Sequence, residues 1–241
     1  MAKFDCNERV IFTVDGVKHR GRVTSVAPCV RRVVTDTGKR LEVSVRSLRA
    51  SPDRVLILET RLDRSLRSIR SYGPMMQQWL TAYDVVTLYE RVHTIEDMRR
   101  FLARDGRNIA TRYIHVMSHG TFEHGVGPLL HLTFERMPLK DHLDVFKGLD
   151  GKVLIFSSCQ IGARPHLLEE IKEVSGAAAV ISYRLDVEDF YTNLAETLLY
   201  DRLIRSSEPP SVIVSRICDL FRQLGVKTGG KLPSKPVIVC V

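Results

Sequence analysis

Apolar residues in the first fifty positions come in short runs separated by turn dipeptides. Arg9–Val14 is followed by Asp15-Gly16, His19–Val26 carries Gly21, Val30–Thr35 ends at Asp36-Thr37-Gly38, and Arg40–Val45 follows. Short runs joined by such turns predict antiparallel hairpins. A stretch of this length buries only a small core, so a compact all-β barrel of four or five strands is expected over residues 1–53. Ser51-Pro52-Asp53 marks its boundary.

From Arg54 the pattern changes. Val55–Glu59, Val85–Tyr89, Tyr113–Met117, Val153–Phe156, Ala177–Ser182 and Val237–Val241 are apolar nearly throughout and predict six strands. Helical stretches lie between them. One covers Arg64–Ala82 and is broken or kinked at Gly73-Pro74. Another starts at Thr94, where an acidic residue three positions on makes a capping-box pattern, and runs to about Ala103. Others are expected at Leu139–Lys147, Pro165–Val174, Asp189–Arg205 and Ser211–Leu224, whereas 121–137 reads as irregular. Uniformly apolar strands suit a sheet covered on both faces. Residues 54–241 therefore predict an α/β three-layer sandwich with a mainly parallel sheet.

Composition narrows the class. Of 241 residues, 44% are hydrophobic and 27% charged, enough apolar content for a core. No apolar run approaches the ~18–20 residues of a membrane helix, and the start MAKFDCNERV has no signal-peptide core, so a cytoplasmic protein with no membrane partner is expected. The five cysteines are scattered without a CxxC, against a disulfide framework or a zinc site of that type. The net charge of +8 is uneven. Residues 1–54 hold 12 Lys/Arg against 6 Asp/Glu (+6), residues 55–112 hold 10 against 7 (+3), and residues 113–241 hold 14 against 15 (−1). The basic N-terminal segment is either a solvated face or a surface for nucleic acid or an acidic protein partner.

In a parallel sheet, chemistry gathers beyond the carboxyl ends of the strands. The third strand ends Tyr113-Ile114-His115-Val116-Met117-Ser118-His119-Gly120, and the fourth ends Phe156-Ser157-Ser158-Cys159-Gln160-Ile161-Gly162. If these strands are neighbours, His119 and Cys159 face one cleft. A thiolate attacks while an imidazole relays the proton in nucleophilic catalysis, and the N–H groups of Gly120 and Cys159 could form an oxyanion hole.

His-Gly after one strand and Ser-Ser-Cys-x-x-Gly after the next, 40 residues on, resemble the caspase-like cysteine peptidases. The C-x-x-G ending is similar to the CHAT and separase branch, as is Val180–Phe190 after the fifth strand, although Leu185 stands where the family often has Trp. The resemblance covers about 54–241; the first fifty residues resemble Tudor/KOW-type barrels in a generic way. It implies a caspase-like fold and a cysteine endopeptidase needing no cofactor or metal. Cys159 would be the nucleophile, His119 the general acid/base, and Gly120 and Cys159 the oxyanion donors. Asp186, or secondly Asp189, would accept the arginine before the scissile bond, a pairing that suits a bidentate carboxylate. Such proteases occur in bacterial defence and regulated proteolysis.

Each residue also has a plainer reading. Free cysteines are commonly core residues, glycines turn chains, Asp186 could be a solvated loop carboxylate, and Asp189 could meet the dipole of the following helix. The stripe Arg61, Arg64, Arg67 and Arg70 is a solvated face or, through Arg61 or Arg64, an anion pocket. His115, His119, His124 and His131 lack the HExxH and carboxylate cluster of a metal site. Trp79, Met75 and Leu80 read as core. The competing functional class is a non-catalytic adaptor whose basic barrel binds nucleic acid or protein.

Overall fold

A computed structural model describes residues 4–6, 8–51, 53–60, 62, 71–206, 208–227 and 233–241. Pro52, the arginine stripe from Arg61 to Arg70 and the 64–70 part of the expected helix lie outside these residues.

The N-terminal strands are β1 (Arg9–Val14), β2 (Val17–Val26), β3 (Val30–Thr35), β4 (Arg40–Ser44) and β5 (Arg49–Ala50). Asp15 and Gly16 both have positive φ, as a two-residue hairpin of right-handed twist requires, and Val14 faces Val17 across it. The sheet is antiparallel in the order β4-β3-β2-β1-β5; among the described residues β4 and β5 do not pair to close it. Val10, Phe12, Val23, Val33, Val43 and Leu48 form its core.

The chain continues through β6 (Arg54–Glu59), α1 (Gly73–Thr81), β7 (Val86–Arg91), α2 (Ile95–Phe101) and β8 (Thr111–Met117). Then come β9 (His119–Glu123), β10 (Gly127–His131) and β11 (Arg136–Pro138). Last are β12 (Val153–Ser157), α3 (Pro165–Ser175), β13 (Ala179–Tyr183), α4 (Asp189–Arg205), α5 (Pro210–Gln223) and β14 (Ile238–Cys240). Thr94 caps α2 with the reciprocal Asp97 contact that the spacing predicts. Helix α1 starts at the expected Gly73-Pro74 break, with Pro74 in its first turn, where a missing N–H costs nothing. One expectation changes. The segment 121–137 is not irregular: β9–β11 form an antiparallel sheet in the order β11-β10-β9.

The large sheet has six strands in the order β14-β13-β12-β8-β6-β7, and only β14 runs antiparallel. The period-two alternation of a strand sends neighbours to opposite faces. Val55 and Ile57 of β6 pack under α1, α4 and α5, while Leu56 and Leu58 face α2 and α3. The body is thus an α/β three-layer sandwich around a mainly parallel sheet, preceded by a β region. Leu80 is buried in the first core and Trp79 packs against it, but Met75 is 47% exposed.

Charged side chains join the N-terminal sheet to the amino edge of the large one. Arg20, 3% exposed, donates to the Ser51 carbonyl and to Asp53 at 2.7 Å. Arg9 reaches Asp36 at 2.6 Å and Asp53 at 3.2 Å. Burial pushes the Asp53 carboxyl up, but Arg9 and Arg20 together outweigh it and hold it below the usual carboxylate range.

Candidate active site

β8 and β12 are parallel neighbours with Ser157 opposite Met117, so the residues following each strand leave the sheet side by side. The Ser118 N–H still donates to the Ser157 carbonyl at 3.2 Å. One residue later, His119 and Cys159 line a single cavity of about 50 Å³, on the sheet face covered by α1 and α4. Tyr72, Asp189, Thr192 and Asn193 line it too, with Leu62, Met117 and Tyr183.

The Cys159 thiol is half-buried and points to the Val187 carbonyl at 3.8 Å. Burial pushes its pKa up, and the charge of Asp186 adds to this. At neutral pH it rests as a thiol, so reaction requires a base. His119 is exposed, and its Nε2 lies 2.5 Å from the Leu62 carbonyl oxygen. A carbonyl only accepts, so Nε2 carries the proton and Nδ1 keeps a lone pair. The contact fixes the tautomer that a proton acceptor needs.

Two features hold the cysteine loop. Gln160 sits in the left-handed region at φ 61°, turning the chain sharply after Cys159. Its side-chain carbonyl accepts the Phe122 N–H at 2.9 Å, and its NH₂ meets both Asp186 oxygens at 2.9 Å. These bonds offset the cost of a strained non-glycine residue. Gly120, paired with Leu130 in the β9–β10 ladder, packs directly on the loop: a Cβ here would overlap the Cys159 carbonyl oxygen. Gly120 thus borders the cysteine loop without lining the cavity.

The two acidic candidates separate. Asp186 is exposed, does not line the cavity and is bound to Gln160, whereas Asp189 lines the cavity and accepts the Tyr72 hydroxyl at 2.8 Å. Asp189 is also the first residue of α4, where a negative charge meets the helix dipole.

Sequence reasoning missed Tyr72 and the carboxylate behind it. Glu59 is fully buried at the end of β6. It accepts the N–H groups of Tyr72 at 2.6 Å and Gly73 at 3.0 Å, the Tyr89 hydroxyl at 2.6 Å, and the Ser71 hydroxyl. This anchors the segment that carries Tyr72 into the cavity. A carboxylate closing an otherwise apolar strand is the signal that could have found it, since such a group needs donors. His115, fully buried, meets Glu196 at 3.3 Å and the Tyr200 hydroxyl at 3.2 Å, below the cavity wall. Among the described residues no three His, Cys, Asp or Glu side chains converge to hold a metal ion, and no helix is long and apolar enough to cross a membrane.

No protein-family model matches the chain, and no curated protein does. Solved structures that it resembles include the Drosophila initiator caspase Dronc, at 12% identity over 78% of each chain with a TM-score of 0.48. Another is pro-sf-caspase-1, at 10% identity over 79% of this chain and 90% of that one, also with a TM-score of 0.48. The chemistry assigned below rests on the cavity and not on these likenesses.

Proposed function

We propose that the protein is a caspase-like cysteine endopeptidase that uses a Cys159–His119 dyad, of the CHAT and separase type, in bacterial defence or regulated proteolysis. The observation that carries the reading is one cavity lined by a thiol and an imidazole from adjacent strand ends. His119 Nδ1 takes the thiol proton as the sulfur attacks the peptide carbonyl. The tetrahedral oxyanion is held by the Cys159 N–H; Gly120, expected as the second donor, packs on the cysteine loop outside the cavity. His119 returns the proton to the leaving amine, giving a thioester and a free amino terminus. Water then attacks the thioester while His119 removes its proton, and the acid product leaves as the thiol re-forms.

Cleavage after arginine is supported by two carboxylates, Asp189 lining the cavity and Asp186 held by Gln160 of the cysteine loop. An arginine entering the cavity competes with the Tyr72 hydroxyl for Asp189. The test is hydrolysis of fluorogenic peptides ending in Arg. Cys159→Ala should abolish it, and Asp189→Asn should lower kcat/KM for Arg substrates roughly ten- to a hundredfold, the worth of a charge-assisted hydrogen bond. Full activity in Cys159→Ala would end the reading.

A second reading is an adaptor whose basic N-terminal sheet, a recruitment module over residues 1–53, binds nucleic acid or protein. It draws on the resting thiol, which contacts Val187 and not His119, and on exposed Lys18, Lys39, Arg40 and Arg46. A salt-dependent nucleic-acid shift by a catalytically silent full chain would favour it.

A further inference from the structure

At the opposite edge of the large sheet, a second cleft lies between the N-terminal sheet and the body. Its volume is about 240 Å³, and it is lined from one side by Lys18, His19 and Thr37 and from the other by Arg107, Asp150 and Lys152. It shares no residue with the cavity holding Cys159.

The feature that asks for a ligand is Lys152. It is 6% exposed, and its ammonium donates to two carbonyls, Asn108 at 2.9 Å and Thr111 at 2.6 Å. No carboxylate of the described residues lies within ion-pair distance of it. An ammonium taken from water without a counter-charge is costly. Burial accordingly lowers its pKa to about 8, with Asp36 and the exposed Asp150 opposing and Arg20 and Arg112 adding to the shift.

The neighbouring acids do not supply the missing charge. Asp36 is already engaged by Arg9 at 2.6 Å, Arg20 at 3.5 Å and Arg112 at 3.6 Å, and Asp53 by Arg9 and Arg20. Around the cleft, Arg9, Lys18, Arg20, Arg107, Arg112 and Lys152 stand against Asp36, Asp53 and Asp150. The surplus is positive. The lysine's third N–H is uncommitted, and Lys18 and Arg107 are exposed at the cleft.

We infer that this cleft binds a compact polyphosphate anion, either free or as the phosphate chain of a nucleotide, clamped between the N-terminal sheet and the body by Lys18, Arg107 and Lys152. Size argues for a compact group: at about 240 Å³ the space is below the ~300–1,000 Å³ of pockets that enclose drug-sized ligands. The base of a nucleotide would lie outside. Donors from both sheets on one anion would lock their relative position. The inference stands apart from the dyad, and its test does not use peptidase activity.

The test is calorimetric titration of the full chain at low ionic strength with inorganic pyrophosphate and, in a second arm, with ATP. Saturable binding of one anion per chain is expected. It should weaken roughly tenfold or more in Lys152→Met and in the surface double variant Lys18→Ala/Arg107→Ala. The double variant alters exposed side chains only, so it keeps the test open if Lys152→Met does not fold. ATP binding more tightly than pyrophosphate assigns the site to a nucleotide, and equal affinities assign it to the polyphosphate itself; both support the inference. Absence of saturable binding in both arms overturns it. So does binding unchanged in the surface double variant, which would place the anion on the diffuse basic surface.

Discussion

The two edges of the six-stranded sheet solve opposite problems with similar residue types. At the amino edge, two carboxylates are each shared among several guanidinia: Asp53 is held by Arg9 and Arg20, and Asp36 by Arg9, Arg20 and Arg112. At the carboxyl edge, the reactive groups have single weak or replaceable partners. Cys159 has a carbonyl at 3.8 Å, and His119 has a carbonyl on one nitrogen only. Buried carboxylates held by several guanidinia fix a geometry, whereas a thiol and an imidazole with replaceable partners beside a cavity can react. Stability should therefore follow the amino edge and activity the carboxyl edge.

The largest effect expected is on activity. Cys159→Ala and His119→Ala should each cut kcat/KM by about a thousandfold or more while thermal melting stays unchanged. Next, Asp53→Ala should cost about 3–5 kcal/mol in urea unfolding, because it leaves two buried guanidinia short of a partner. The folded fraction should retain its peptidase constants. A loss of activity in that fraction would break the contrast between the edges. Gly120→Ala crosses it from the other side: the added methyl meets the Cys159 carbonyl, so about 1–3 kcal/mol of stability and part of kcat should fall together.

Two groups of the amino edge should set the pH dependence of stability. Asp53 has a lowered pKa, so its contribution is present above the ordinary value of 3.8 and is lost as pH falls through the folded value. Lys152 acts with the same sign in a higher window: between about 8 and the ordinary 10.5 the unfolded chain holds a proton that the folded chain lacks, so stability rises with pH there too. Denaturant midpoints across pH measure both. The smallest effect is that of Tyr72→Phe, which removes the hydroxyl on Asp189 and should change kcat/KM for Arg peptides by about fivefold, near 1 kcal/mol.

Much of this architecture was legible in the sequence because burial on both faces writes itself as apolar runs. β12, β13 and the span of α4 fall within a residue or two of expectation, and so does the adjacency that aligns His119 with Cys159. The sheet at 119–138 was not legible. β9 and β11 are short, mix histidine, glycine and charge, and lack alternation; their pairing is long-range information. The acidic pair was ambiguous for a similar reason. Asp186 and Asp189 are three residues apart, and only the start of α4 at Asp189 brings one to the cavity and leaves the other outside it. The ion pairs of Arg20, Asp36 and Asp53 read in sequence like any solvated charges, since nothing local distinguishes a buried arginine from an exposed one.

The central claim is that His119 activates Cys159, and covalent labelling tests it without a known substrate. The five cysteines of the wild-type chain compete for a peptidyl acyloxymethyl ketone ending in Arg, and peptide mapping reads which one is alkylated. Activation predicts a single adduct at Cys159, although Cys6 and Cys29 are the exposed thiols, and its disappearance in His119→Ala. Labelling that follows exposure, with Cys6 and Cys29 modified first and the pattern unchanged in His119→Ala, would contradict the account.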